Sequence, residues 1–118
     1  MPPFGTVEFE HRHDDLWVVA LVGEHDLSNA EAIERRLLDV HSHGTRVVLD
    51  LSDTTFMDST VLRVILQEQH RSATNPKDAL TVVAPHGSPA RRLLELVQPR
   101  GLLLVETRED AVAGISNR

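Results

Sequence analysis

Apolar runs and stretches with helical spacing alternate along this chain from residue 16 onward. Continuous apolar runs predict buried strands, and apolar residues three or four apart predict helices that bury one face. The predicted strands cover residues 7–10, 16–22, 46–51, 79–84 and 102–106. The predicted helices cover residues 28–44, 59–75, 89–100 and 108–115. The pattern leaves a polar turn at residues 11–15 and loops at residues 23–27 and 52–58.

Helix boundaries have their own signals in the sequence. Ser28 and Glu31 have the spacing of a capping box, in which each side chain bonds a free backbone N–H of the first turn. Pro76 ends the central helix, because the residue before a proline avoids helical geometry. Pro89 follows Ser88 and suits the first position of a helix.

The order of these elements predicts the fold class. Strands that alternate with helices indicate an α/β domain with right-handed parallel crossovers. The short first turn joins its strands as an antiparallel hairpin, so we expect a mixed, mostly parallel sheet with packed helices. The length of 118 residues is typical of one domain, and we expect a single unit over residues 1–118 with its core roughly at residues 5–115.

Composition excludes several classes of function. The chain has no cysteine, so disulfides and thiolate metal sites are absent. Its net charge of −6 disfavours direct nucleic-acid binding, which usually needs a basic face. No apolar run reaches the roughly 20 residues of a membrane span, and the first residues lack the features of a secretory signal. We therefore expect a cytoplasmic protein without cofactor, membrane or nucleic-acid partner.

The most informative position is Ser59, which follows a short loop at the start of the central helix. Backbone N–H groups at a helix start lack intrahelical partners and, with the macrodipole, favour negative charge. A phosphate on Ser59 would therefore be tolerated, and we predict a phosphorylation switch there, with Thr60 as the alternative acceptor. The functional loops of such folds leave the carboxyl ends of parallel strands. That edge would surround Ser59 with acidic residues, namely Glu24, Asp26, Asp53 and Asp58.

Other interpretations of these residues are weaker. Ser59 could simply cap its helix, which is the commonest use of serine there. As a nucleophile it would need a base; His70 lies about three turns away, and only His25 could approach. Asp50 at a strand end could accept phosphate as in receiver domains, but an aspartate that caps a turn explains it better. We therefore expect a binding module rather than an enzyme.

Histidine and arginine pairs complete the candidate chemistry. His11 with His13, and His41 with His43, could each present two imidazoles to a metal ion. Neither pair has a third obvious ligand, so no metal site is predicted and the histidines are expected in solvent. Arg91 and Arg92 are expected on a solvated helix face rather than at a phosphate site.

Three motifs in order resemble one family. They are residues 23–26, Gly23-Glu24-His25-Asp26, residues 56–60, Phe56-Met57-Asp58-Ser59-Thr60, and residues 88–96, which begin Ser88-Pro89-Ala90. Together they resemble the STAS family of anti-sigma factor antagonists over roughly residues 5–115. The resemblance implies that the unphosphorylated form binds an anti-sigma factor, which is also its serine kinase, and so frees a sigma factor for transcription in response to stress. It implies that phosphorylation at Ser59 breaks the complex and that a separate serine phosphatase restores it.

Two positions depart from the family pattern. The family usually has glycine where this chain has Val61 and Arg63. Bulky residues there would obstruct a close partner, so the resemblance allows a dedicated partner or, as the alternative, a STAS scaffold or accessory subunit of a signalling or transport complex that is never phosphorylated. Arg63 lies one turn from Ser59 and could reach its phosphate or an acidic patch on a partner. The predicted partner-binding residues are Glu24, Asp26, Asp58, Thr60, Val61 and Arg63.

Overall fold

The computed structural model describes residues 5–13, 15–41, 46–73, 80–97 and 102–116, and within them six strands and four helices. The strands are β1 (Thr6–His13), β2 (Leu16–His25), β3 (Arg46–Asp50), β4 (Thr54–Met57), β5 (Leu80–Val83) and β6 (Leu103–Val105). The helices are α1 (Leu27–His41), α2 (Ser59–Ala73), α3 (Pro89–Val97) and α4 (Arg108–Ser116). The predicted ends of the first three helices and the predicted start of the strand at residue 79 lie outside the described residues.

The strands form one mixed sheet in the order β1-β2-β3-β5-β6, with β4 paired to β2 beyond the end of β3. β1 and β2 are antiparallel, and Glu8 lies opposite Ala20. All other pairs are parallel, so the chain returns to the same edge of the sheet through its helices. The prediction of an α/β domain with a mixed, mostly parallel sheet is confirmed.

Helices cover both faces of the sheet. On one face, α1, α2 and α3 share a core with the strands that includes Leu49, Ile65 and Leu94. On the other face, α4 packs Ala111 against a smaller cluster that includes Val48. Each fully buried aliphatic side chain contributes about 1.5–3 kcal/mol relative to an exposed one. This packing fixes the first turns of α1 and α2 side by side at one edge of the sheet.

The predicted loops at residues 23–27 and 52–58 are partly strands. Gly23 has a positive φ of 90°, and its N–H donates to the carbonyl of Asp53 at 3.0 Å, so β2 bends and continues past the end of β3. There it pairs with β4, where His25 lies opposite Met57. The four residues of β4 are buried at both ends and exposed in the middle, so they carry none of the alternation that identifies a strand in sequence.

The predicted polar turn at residues 11–15 is also partly strand, because β1 continues to His13 with a register shift after His11. The ring of His11 stacks on Trp17 of β2, with 4.7 Å between centroids and 17° between planes. The stacking explains why a polar stretch extends the hairpin. The side chains of His13 and His41, and all of His43, lie outside the described residues.

Candidate partner-binding surface

One carboxylate, that of Asp58, caps two helices. Its Oδ1 accepts the backbone N–H groups of Thr60 and Val61 at 3.0 and 3.1 Å, which makes Asp58 the N-cap of α2. Its Oδ2 accepts the N–H of Leu27, the first residue of α1, at 3.1 Å. The negative charge therefore sits at two helix N-termini at once, where the backbone dipoles favour it.

Ser59 is the first residue of α2, and its side chain is exposed. Because Asp58 already holds the N–H groups of the first turn, α2 does not use the Ser59 hydroxyl as a cap, which removes that alternative. No hydrogen bond joins the Ser59 hydroxyl to any part of the chain that the structure describes. A group attached to its oxygen would lie in solvent beside the start of α2, where negative charge is favourable.

Asp26 caps α1, so the predicted capping box of Ser28 and Glu31 is wrong by two residues. The Oδ1 of Asp26 accepts the Ser28 hydroxyl at 2.5 Å and the Ser28 N–H at 2.8 Å. In return, Asn29 Oδ1 accepts the Asp26 N–H at 2.8 Å, which completes a capping box of aspartate and asparagine. The Ser28 hydroxyl, and after it the Ser28 N–H, hold the pKa of Asp26 below its ordinary value.

His25 lies beneath this surface and is fully buried. Its Nε2 lies 3.1 Å from the Val22 carbonyl oxygen, and its Nδ1 lies 2.8 Å from Asn29 Nδ2. The carbonyl can only accept, so Nε2 carries the proton and Nδ1 accepts from the amide. Burial lowers the pKa of His25 below its ordinary value of 6.5, against smaller opposing effects of Val22 and Asp26. Both ring nitrogens are thus engaged, and His25 is not placed as a base for Ser59.

The structure brings most of the predicted partner-binding residues together. Glu24 is exposed at the end of β2, directly before His25 and the α1 cap Asp26. Asp58 and Thr60 follow β4, which pairs with that end of β2. Asp26 and Asp58 therefore lie at the adjoining starts of α1 and α2, and Glu24 lies opposite Phe56 in the register of β2 and β4.

Val61 and Arg63, the two positions at which the resemblance implies glycine, have opposite environments. The side chain of Val61 is fully buried in the core that α2 shares with the sheet, so its prediction as a partner-contacting residue is wrong. Two residues on, about 200° around the helix, Arg63 is exposed. Only Arg63 changes the surface that a partner would meet.

A cleft of about 520 Å³ runs between α1 and α2 and begins beside Ser59. Ala30 of α1 and Val64 of α2 are buried and form its floor. The remaining lining residues are exposed or half-buried, namely Leu27, Glu31 and Glu34 from α1 and Thr60, Arg63 and Gln67 from α2. The cleft thus combines an apolar floor with charged walls.

Two large apolar side chains at this edge escaped the sequence analysis. Leu27 is 72% exposed at the mouth of the cleft, and Phe56 is 48% exposed on β4, opposite Glu24 in the strand register. Leu27 lies six residues before Ile33, which places it about 120° from the apolar stripe of α1. The position of Leu27 away from the apolar stripe therefore indicates, from the sequence alone, that its side chain is exposed.

Asp50 and Arg108 form a second polar cluster, away from Ser59. The Nε of Arg108 donates to Asp50 Oδ2 at 2.8 Å, and the Ser52 hydroxyl and N–H donate to Asp50 Oδ1 at 2.6 and 2.9 Å. Burial alone would raise the pKa of Asp50, but the hydrogen bonds from Ser52 and the ion pair with Arg108 outweigh it and lower that pKa. Asp50 therefore caps a turn and anchors α4. A turn cap is the role that the sequence analysis favours for Asp50 over that of a phosphoacceptor as in receiver domains.

Only one of the two neighbouring arginines on α3 lies on a solvated helix face, as the sequence predicts for both. Arg92 is exposed, but Arg91 donates from Nη1 to the Ala84 carbonyl at 3.1 Å and is largely buried. Arg91 therefore joins α3 to the end of β5 and does not lie on a solvated face. In the described segments, no group of three or more histidine or acidic side chains could hold a metal ion, and no helix is long and apolar enough to span a membrane.

Solved structures with the same architecture include three chains of regulatory proteins. An anti-sigma factor antagonist from Mycobacterium paratuberculosis aligns with 98% of this chain and 97% of its own, with a TM-score of 0.79 and 24% identity. Unphosphorylated SpoIIAA aligns with 96% of this chain and 100% of its own, with a TM-score of 0.74 and 19% identity. Phosphorylated Bacillus SpoIIAA aligns with 93% of this chain and 99% of its own, with a TM-score of 0.69 and 18% identity. At these identities the likeness concerns the fold.

Sequence comparison identifies the family. No curated protein sequence matches this chain. The family model of the STAS domain, however, matches residues 7–110, a range that runs from β1 into the first turn of α4. The matched range contains both capped helix starts and the cleft between them. The chain belongs to the STAS domain family.

Proposed function

We propose that this chain is an anti-sigma factor antagonist that is switched by phosphorylation of Ser59. In its unphosphorylated form it binds an anti-sigma factor that is also its serine kinase, and so releases a sigma factor. The observation that carries the proposal is the Ser59 hydroxyl, which is exposed at the first turn of α2 while Asp58 caps that turn. Ser59 can therefore accept a phosphate without the loss of a described contact.

Family membership and fold support the general role. The STAS domain match spans most of the chain, and SpoIIAA has this fold in both an unphosphorylated and a phosphorylated form. Ser59 follows Asp58 in the segment that resembles the family signature. The whole chain would then act as one STAS unit in the cytoplasm, with an indirect part in transcription and stress responses.

The geometry also supports a switch that acts on binding more than on stability. An anion at the start of α2 is favourable by about 0.3–1 kcal/mol within the domain. At an interface, a newly buried charge without a partner costs several kcal/mol, about 3–5 when a buried pair is broken. Phosphorylation would therefore weaken the complex while the fold survives.

The proposed role is that of a binding module and kinase substrate, not of an enzyme. A nucleophilic Ser59 would need a base, and His25 uses both ring nitrogens in buried hydrogen bonds to Val22 and Asn29. Removal of the phosphate is accordingly assigned to a separate serine phosphatase.

The test uses the anti-sigma factors encoded in the same genome. Each is purified and incubated with this chain and ATP, the phosphorylated residue is mapped by mass spectrometry, and affinity is measured for Ser59→Ala, Ser59→Asp and Ser59→Asn. Asparagine has the shape of aspartate without its charge, so it is the matched control. We expect one phosphate, on Ser59, and an affinity for Ser59→Asp at least about tenfold below that of Ser59→Asn, which corresponds to about 1.4 kcal/mol.

Two results would contradict the proposal. Phosphate on Thr60 or another residue would move the switch away from Ser59. Equal affinities for the aspartate and asparagine variants, with no phosphate incorporated, would favour the alternative of a STAS scaffold or accessory subunit that is never phosphorylated.

A further inference from the structure

The two walls of the cleft between α1 and α2 carry opposite charges that are not paired with each other. Arg63 lines the α2 wall and Glu34 the α1 wall. Within the described residues, neither side chain takes part in an ion pair, whereas neighbouring Glu31 is paired with Arg35 at 2.9 Å. Arg63 and Glu34 are therefore both available to groups that enter the cleft.

The mouth and floor of the cleft are apolar. Leu27 is 72% exposed at the mouth, and buried Ala30 and Val64 lie at the bottom. A single exposed leucine is ordinary on a protein surface, but here it continues an apolar floor. An occupant would therefore bury an apolar side chain against Leu27 and place charged groups along the two walls.

We propose that this cleft receives a segment of the anti-sigma factor that presents an acidic side chain to Arg63 and an apolar side chain to Leu27. The proposal rests on the proposed function, since its occupant is the anti-sigma factor. The cleft begins at Thr60, directly after the proposed phosphorylation site Ser59. Charge complementarity favours this occupant: the segment meets a cation on the α2 wall and an anion, Glu34, on the α1 wall. Its acidic side chain is attracted by Arg63 and repelled by Glu34, so the charges of the walls favour one orientation of the segment.

The charges would supply partner specificity more than affinity. A partner with a basic group opposite Arg63 is repelled, because like charges that face each other at an interface cost several kcal/mol. The side chain at this position would therefore match this chain to its own anti-sigma factor. Ser59 and Arg63 also lie four residues apart on α2, so a phosphate on Ser59 would compete with the acidic side chain of the partner for Arg63.

Two variants with matched controls test the proposal. Affinity for the anti-sigma factor that binds wild type is measured by calorimetry at low and high salt for Arg63→Glu and Leu27→Ala. The controls are Arg92→Glu and Leu96→Ala, which change an exposed arginine and an exposed leucine (82%) on α3. Circular dichroism melting curves show whether each variant is folded.

We expect Arg63→Glu to lower affinity about tenfold or more at low salt, and by less at high salt because ions screen the charge. Leu27→Ala should lower affinity several-fold at both salt concentrations, since burial of an apolar side chain is not screened in this way. Both controls should bind like wild type.

The possible failures are distinguishable. If no anti-sigma factor binds wild type, both the proposed function and this inference are overturned. If one binds and the Arg63 and Leu27 variants bind equally well, the function stands and the inference fails. If wild type alone sediments as a dimer that Leu27→Ala dissociates, a second copy of this chain occupies the cleft and the inference is also overturned.

Discussion

At the scale of single residues, the acidic side chains of the candidate surface also build the structure that presents them. Asp58 caps α2 and holds the first N–H of α1, and Asp26 caps α1. An alanine at either position would lower the stability of the fold and change the surface together. Loss of binding in such variants must therefore be judged against their stability.

Asp58→Ala tests the double cap. The change leaves the N–H groups of Thr60, Val61 and Leu27 without their acceptor, and caps are worth about 1 kcal/mol each. We expect a loss of about 2 kcal/mol in the free energy of unfolding, measured by urea denaturation. Asp58→Asn should lose less, because its amide oxygen can still accept at α2 while its NH₂ faces the donor of Leu27.

The matched control for this prediction is Asp53→Ala, which removes an exposed carboxylate from the loop between β3 and β4; the side chain of Asp53 has no hydrogen bond within the described residues. It should change stability by no more than about 0.5 kcal/mol. If Asp58→Ala is equally mild, water replaces the carboxylate at both helix starts and the double cap does not stabilise the fold.

Residue-level prediction from sequence succeeded where local chemistry decides and failed where packing decides. Ser88 caps α3, with the Arg91 N–H 3.2 Å from its hydroxyl, as the Ser-Pro pair indicates. The capping-box pattern indicates Ser28 as the cap of α1, but Asp26 is the cap, because the path of β2 into α1 starts the helix at Leu27. The motif alone predicts Val61 at the partner surface, although its position on α2 turns its side chain into the core.

At the scale of elements, the strongly periodic helices and apolar strands could be predicted, but the strand that shapes the site could not. β4 has four residues without alternation and depends on pairing with the extension of β2. That extension in turn depends on the bend at Gly23. The cleft likewise arises from the packing of α1 beside α2, which no single segment of sequence encodes.

Phosphorylation of Ser59 should stabilise α2 more when Arg63 is present than when it is replaced by alanine. Ser59 and Arg63 are one turn apart on α2, and exposed pairs of single charges at this spacing contribute about 0.3–0.5 kcal/mol. A phosphate carries nearly twice the charge, so we expect a contribution at or somewhat above the upper end. The increase in melting temperature that phosphorylation causes should therefore be about 1–3 °C larger in wild type than in Arg63→Ala.

The comparison of wild type with Arg63→Ala needs a control variant that changes helix propensity by the same amount as Arg63→Ala. Gln67→Ala removes another exposed long side chain from α2 one turn further on, too far to reach Ser59. Its phosphorylation-induced shift should equal that of wild type. If Arg63→Ala also shows the shift of wild type, Arg63 does not bind the phosphate and acts only towards the partner.

At the scale of the whole molecule, the polar contacts of Arg108 join elements that are distant in sequence. Arg108 at the start of α4 binds Asp50 at the end of β3 and lies 3.7 Å from Glu10 of β1. It therefore helps to fasten α4 to the second face of the sheet, where the apolar cluster is small. No sequence pattern pairs Asp50 with Arg108, because 58 residues separate them.

Arg108→Ala would leave the carboxylate of Asp50 buried without its cation. We expect a loss of about 2 kcal/mol near neutral pH, measured by urea denaturation, while Arg92→Ala, an exposed control, changes little. The pKa of Asp50 is lowered in the fold, so its contribution is present above the unfolded pKa and is lost as pH falls through the folded pKa. The difference in the free energy of unfolding between wild type and Arg108→Ala should accordingly become smaller in acid. If this difference does not change with pH, the variant loses the packing of the arginine stem and not the charge interaction.

His25 connects the core to both helix starts and should make the stability of the whole domain depend on pH. Its ring is buried, its Nδ1 accepts from Asn29, and its backbone carbonyl accepts the N–H of Asp58 at 3.3 Å. Burial lowers the pKa of His25 and outweighs the backbone hydrogen bonds of Val22 and Thr6 and the negative charge of Asp26, which favour a protonated ring.

The sign of the effect follows from this lowered pKa. Below the unfolded value of 6.5 the unfolded chain binds a proton that the folded chain does not, so the free energy of unfolding falls as pH decreases from 6.5 towards the folded pKa. For one proton the slope is at most about 1.4 kcal/mol per pH unit. Urea denaturation between about pH 7.5 and 5.5 should show this slope in wild type.

The His25→Leu variant should flatten that slope, because leucine does not titrate, even though the loss of the acceptor for Asn29 lowers its stability at every pH. His70→Gln, which changes an exposed histidine near the end of α2, should keep the slope of wild type. A proton on Nδ1 would turn the Asn29 amide and so withdraw Oδ1 from the Asp26 N–H, which loosens the start of α1 as well as the core. If His25→Leu and wild type show the same slope, His25 is protonated as readily in the fold as in the unfolded chain, and its burial does not govern the acid sensitivity of the domain.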